Sequence, residues 1–117
     1  MIITLGFTKS DRDADYISFS DGYRLGARQM SVTIVLEGDG RHLSGEQWAE
    51  AAFIASNHPG QAPAGPARAI QLALAEQVRF PLRSMSVGDT VSVHEQMWAC
   101  EGAGWRPVDA RTEDPQP

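Results

Sequence analysis

Hydrophobic residues recur along this chain with two different periods, and the changes of period mark its elements. Over Met30–Leu36 (MSVTIVL) the side chains Met30, Val32, Ile34 and Leu36 share one face with Val35 opposite, and the Val, Ile and Thr content suits a packed strand. Glu37-Gly38-Asp39-Gly40 ends it in a turn. Upstream, Met1–Thr8 (MIITLGFT) is apolar and β-branched and reads as a first strand, which the polar run Lys9–Asp15 stops. Tyr16–Ser20, ending at the Asp21-Gly22 turn signal, reads as a second.

The period then becomes helical. Ser44 with Gln47 three residues later fits a capping box, so a helix is expected from there to near Asn57, with Trp48, Ala51, Ala52 and Ala55 inward and Glu46 and Glu50 toward solvent. Gln61–Gly65 is a Pro/Gly/Ala connector, and Pro66 suits the first turn of a second helix, Ala67–Val78. Its expected stripe is Ile70, Leu74 or Ala73, and Val78. After Phe80-Pro81 short β units return. They are Thr90–Val93, a His94-Glu95-Gln96 connection, Met97–Glu101, a Gly102-Ala103-Gly104 bend and a last piece around Trp105–Val108.

The order β-β-β-α-α-β-β-β implies a small mixed α+β domain over residues 1–108, an antiparallel sheet with two helices from the middle of the chain. Residues 109–117 are polar and aperiodic and read as a flexible tail. A length of 117 residues suits a single domain, and 15 of its hydrophobic residues are alanine, which leaves a modest core and room for a homodimer that would extend it. No stretch approaches the ~18 apolar residues of a membrane helix, and the first residues lack a secretory leader, so a cytoplasmic protein is expected.

Charge and candidate chemistry narrow the function classes. A net charge of −5 argues against general nucleic-acid binding, which draws on Lys and Arg neutralising phosphates. Asp11, Asp13 and Asp15 have the spacing of a calcium-loop start, but the sixth and twelfth positions, where Gly and Glu are needed, hold Tyr16 and Gly22, so a solvated acidic turn is the better reading. The single cysteine, Cys100, excludes an internal disulfide, and His42, His58 and His94 show no metal-ligand spacing. His94 and Cys100 are the only seed of a nucleophilic pair, set against a buried, inert thiol. No G-x-S-x-G elbow is present, Gly102-Ala103-Gly104 precedes no helix, and neither cofactor nor metal is called for. Arg79, Arg83 and Arg106 with Trp98 and Trp105 offer an Arg/aromatic C-terminal surface that would suit single-stranded nucleic acid or a protein partner, although tryptophan in a domain this small is more often core.

The run Arg83-Ser84-Met85-Ser86-Val87-Gly88-Asp89-Thr90-Val91, followed by Trp98-Ala99-Cys100 and Gly104-Trp105, resembles the "SLSVGDVV…Y/W-x-C…GW/GF" tail of small phage, plasmid and mobile-element proteins, seen also in YodL-like domains. The resemblance covers about residues 67–108. It implies a folding signature in which Ser-Val-Gly-Asp launches a strand and Val87, Val91 and Val93 face a core; this chain departs from the fully apolar run in that Thr90, Ser92 and His94 give the strand a polar face. No acid, base or metal constellation comes with it. What it implies about function is a setting: a non-enzymatic accessory protein, most concretely an anti-CRISPR or anti-restriction inhibitor that binds a host defence complex. Asp11, Asp13, Asp15 and Glu101 would then face a basic groove, with Trp98 and Trp105 as anchors. The alternative is a small nucleic-acid-binding regulator using Arg79, Arg83 and Arg106.

Overall fold

The structure, a computed structural model, describes residues 1–8, 29–57, 62–78, 82 and 84–108. Within them the chain forms strands β1 (Ile2–Thr8) and β2 (Gln29–Val35), helices α1 (Gly45–Asn57) and α2 (Pro66–Gln77), and strands β3 (Thr90–Val93), β4 (Gln96–Glu101) and β5 (Gly104–Val108). This is the expected small α+β domain. The strand expected at Tyr16–Ser20 and the tail at 109–117 lie outside the described residues.

All strand pairs are antiparallel, in the order β2-β1-β3-β4-β5, so segments from the two ends of the described chain share one sheet and β1 lies inside it. Alternation decides what each strand buries. Ile3, Leu5 and Phe7 of β1 stand opposite Ile34, Val32 and Met30 of β2, and Leu5 is also opposite Val91. These side chains, with Val93, form the sheet's half of the core. Helix α1 lies over β3, β4 and β5, and α2 over β2. Trp48, Ala49, Ala51, Ala52 and Ala55 of α1 and Ala67, Ile70 and Ala73 of α2 supply the other half. Small residues on both helices let them approach the sheet and each other closely.

The capping box forms as the spacing requires. Gln47 N–H donates to Ser44 Oγ at 3.1 Å, and Ser44 N–H donates to Gln47 Oε1 at 2.8 Å. Gly45 follows because a Cβ there would stand 2.6 Å from Trp98 Nε1, whose indole lies across the first turn of α1. In the stripe of α2, Ile70 is buried as expected and Ala73, of the two options there, takes the buried position, while Leu74 and Val78 are half-buried. The last hairpin also departs slightly from expectation. Gln96 belongs to β4 and is opposite Val93, which leaves a two-residue turn of His94 and Glu95 with φ of 54° and 65°. That left-handed pair is the geometry whose twist matches a two-residue hairpin, though Asn and Gly adopt it more readily.

On the face away from the helices, Ile2 and Val35 stand opposite each other and are exposed, as is Thr33. Farther along the same face Thr90, Ala99 and Val108 are buried, so Thr90 does not contribute to an exposed polar face.

Candidate functional site

The Ser86–Asp89 segment does launch β3, and its carboxylate reaches much farther than a turn. Asp89 has no exposure. Its Oδ2 accepts from Ser86 N–H at 2.9 Å, and its Oδ1 accepts from Thr8 N–H at 2.8 Å, at the end of β1. Thr8 Oγ1 donates in turn to the Gly88 carbonyl at 2.8 Å. The main chain continues the tie: Cys100 N–H donates to Asp89 O and Gly88 N–H to Cys100 O. Asp89 therefore fastens the start of the C-terminal hairpin to the first strand. Val87 is half-buried in the turn, while Val91 and Val93 are buried in the core.

The two tryptophans of this tail pack against α1. Trp105 is half-buried; its Nε1 donates to Glu50 Oε1 at 3.0 Å, and its ring meets Phe53 edge-on with centroids 6.3 Å apart. Trp98 is half-buried, with its Nε1 enclosed and without a hydrogen-bond partner. Sheet alternation separates them from the charged residues grouped with them in sequence. Trp98 and Trp105 point to the helix face, whereas Glu101 and Arg106 fall on the other face and pair at 3.5 Å. Asp11, Asp13, Asp15, Arg79 and Arg83 lie outside the described residues.

His94 and Cys100 are not brought together. His94 is at the tip of the β3–β4 hairpin, with Nε2 3.2 Å from the Gly40 carbonyl, while Cys100 is at its open end beside Asp89. The length of β4 between them is roughly 13 Å at the usual rise per residue. Burial, then the charges of Asp89, Glu50 and Glu101, push the Cys100 thiol up to about 11. It is protonated near neutral pH, the opposite of an activated nucleophile.

A different surface gathers apolar groups. Between the end of β2, the loop after it and one side of α2 runs a cleft of about 650 Å³, lined by Val35, Leu36, Ala69, Leu72 and Ala73 and bordered by Glu37 and Glu76. Among the described residues no Lys or Arg lines it. Its inner end is fixed by Trp48, whose Nε1 donates to the Gly40 carbonyl at 2.8 Å and whose ring meets that of His42 edge-on. Gly40 has φ +68°, and a Cβ there would press on Met1 and stand 3.2 Å from Trp48 Nε1. Leu72 is 62% exposed and Val35 56%. Both carried a sequence signal: Val35 stands opposite the buried face of its strand, and Leu72 falls off the apolar stripe of its helix.

The chain matches no protein-family model, no curated protein and no solved structure. Among the described residues no helix is long and apolar enough to cross a membrane, and no three His, Cys, Asp or Glu side chains are grouped to hold a metal ion.

Proposed function

We propose that this chain is a non-enzymatic accessory protein of a phage or other mobile element, which inhibits a host defence complex of the CRISPR or restriction kind by covering its basic nucleic-acid-binding surface. The observation that carries the binding role is the cleft beside α2. Two large aliphatic side chains, Val35 and Leu72, stand largely in solvent around it, and exposed apolar side chains beside a cleft suit a docking surface. Its border carries the carboxylates Glu37 and Glu76 and, among the described residues, no Lys or Arg, which complements a surface built from Lys and Arg interleaved with apolar groups. Exposed apolar centres with charged borders provide affinity from the first and orientation from the second. The resemblance of residues 67–108 to mobile-element tails supplies the setting.

The test is affinity capture from host lysate, with and without nuclease, using the wild-type chain beside Leu72→Gln and Glu76→Lys. Defence-complex subunits should be retained on wild type after nuclease treatment and reduced at least tenfold on either variant. Recovery of nucleic acid alone, lost on nuclease treatment and with the steep salt dependence of phosphate contacts, would instead support the nucleic-acid-binding regulator.

A further inference from the structure

Among the described residues, the outermost strands of the sheet treat their edges differently. β5 contains Arg106 and Pro107, a charge and a residue without an N–H, both of which discourage a further strand. β2 (QMSVTIV) has no charge, no proline and four successive β-branched residues, Val32–Val35. An edge of that kind is a template for pairing.

Which backbone groups it offers follows from the register. Met1 and Leu36 exchange hydrogen bonds in both directions, so Ile34 and Val32 also direct theirs to β1, and Val35, Thr33 and Ser31 direct theirs outward. At Val35 both outward groups are taken by one side chain. Val35 N–H donates to Gln77 Oε1 at 2.9 Å, and Gln77 Nε2 donates to the Val35 carbonyl at 2.9 Å. The amide of Gln77 thus stands in for a residue of a neighbouring strand and closes the end of the edge where the α2 cleft begins. Thr33 and Ser31 have no such stopper among the described residues, and both are exposed.

We propose that this open stretch of β2 pairs with the same stretch of a second copy of this chain, antiparallel and two-fold about Val32, joining two five-stranded sheets into one. Ser31 of one copy then lies opposite Thr33 of the other, and each pair exchanges the outward N–H and C=O groups described above. A second copy fits because the strand is uncharged, so self-pairing brings no like charges together, and because Ser and Thr hydroxyls form favourable cross-strand pairs. On the helix face Val32 meets Val32, which carries each core across the boundary and extends a core limited by its many alanines. Gln77 fixes the register by blocking the next pair. The contact leaves the α2 cleft free, because the cleft takes no residue of β2 before Val35.

Sedimentation velocity of the full chain over a micromolar dilution series tests this. Wild type should show twice the 12.7 kDa of one chain, dissociating on dilution. Thr33→Lys and Thr33→Pro should sediment as single chains with unchanged far-UV circular dichroism; Thr33 directs its N–H away from β1, so proline removes no main-chain bond of the sheet, and both replacements lose only the exposed 3.0 Å hydrogen bond between the Thr33 and Thr4 hydroxyls. Gln77→Ala, which opens the Val35 groups, should tighten the dimer several-fold. A single-chain mass for wild type throughout the series, or a dimer that survives folded Thr33→Lys, would overturn the proposal. If Thr33→Pro does not fold, Thr33→Lys alone decides. A Gln77→Ala dimer weaker than wild type would overturn the assignment of Gln77 as the stop.

Discussion

Asp89 shows how much of this fold depends on a single buried side chain. Its carboxylate accepts from two main-chain N–H groups, one in its own turn and one on β1, 81 residues earlier. Asp89→Asn keeps the shape but presents an amide NH₂ to one of those donors. A loss of about 2 kcal/mol in chemical denaturation is expected, because a buried N–H is then left facing another donor. The sequence identified Ser86–Asp89 as a turn, since Gly-Asp has local chemistry; it gave no sign of Thr8 as the distant partner, which only the pairing of β1 with β3 brings close. Cys100 gives a second expectation at this scale. Its thiol is held at about 11, above the ordinary 9.0, chiefly by burial. Below pH 9 both folded and unfolded chains keep the proton and nothing is lost. Between pH 9 and 11 the unfolded chain ionises first, so stability should fall with rising pH across that window, and fall less in Cys100→Ala, as pH-dependent urea melts would show.

The elements themselves were largely legible, because each rests on nearest-neighbour chemistry. Ser44 and Gln47 announced the start of α1, Pro66 that of α2, and alternation placed Val32 and Ile34 in the core. Tertiary packing decided where the pattern left locally equivalent options open, as between Leu74 and Ala73, of which Ala73 became the buried residue. The candidate site was less legible. Trp98 and Trp105 attracted notice as aromatics beside Arg106, yet a sheet sends neighbouring residues to opposite faces, and the indoles went to α1. The turn between β3 and β4 carries a cost that can be removed. Glu95 is exposed with φ of 65°, so Glu95→Gly should raise stability by ~1 kcal/mol by relieving the left-handed conformation, read as a higher Tm. His94 is best left in place, because its imidazole contacts the Gly40 carbonyl that also anchors Trp48.

At the scale of the whole molecule, one face of the sheet is filled by two alanine-rich helices, and several polar side chains among the described residues serve the packing. Asp89 ties strands, Cys100 is a shielded thiol, and Glu50 holds an indole. The described surface carries an acid-bordered apolar cleft along α2 and an uncharged strand edge next to it, the two features on which the proposed contacts with other chains rest. The most direct measurement of the binding account is plating efficiency of a targeted phage on cells that carry an active CRISPR or restriction system and express either wild-type protein or the variants Leu72→Gln and Glu76→Lys. At 62% exposure Leu72 contributes little to folding, so its replacement should leave the Tm within about 1 °C of wild type. The account predicts that wild type restores plating against at least one such system by a hundredfold or more, and that each variant, equally expressed, loses at least tenfold of that protection. Failure of wild type to restore plating against any system tested, or full protection by both variants, would contradict it.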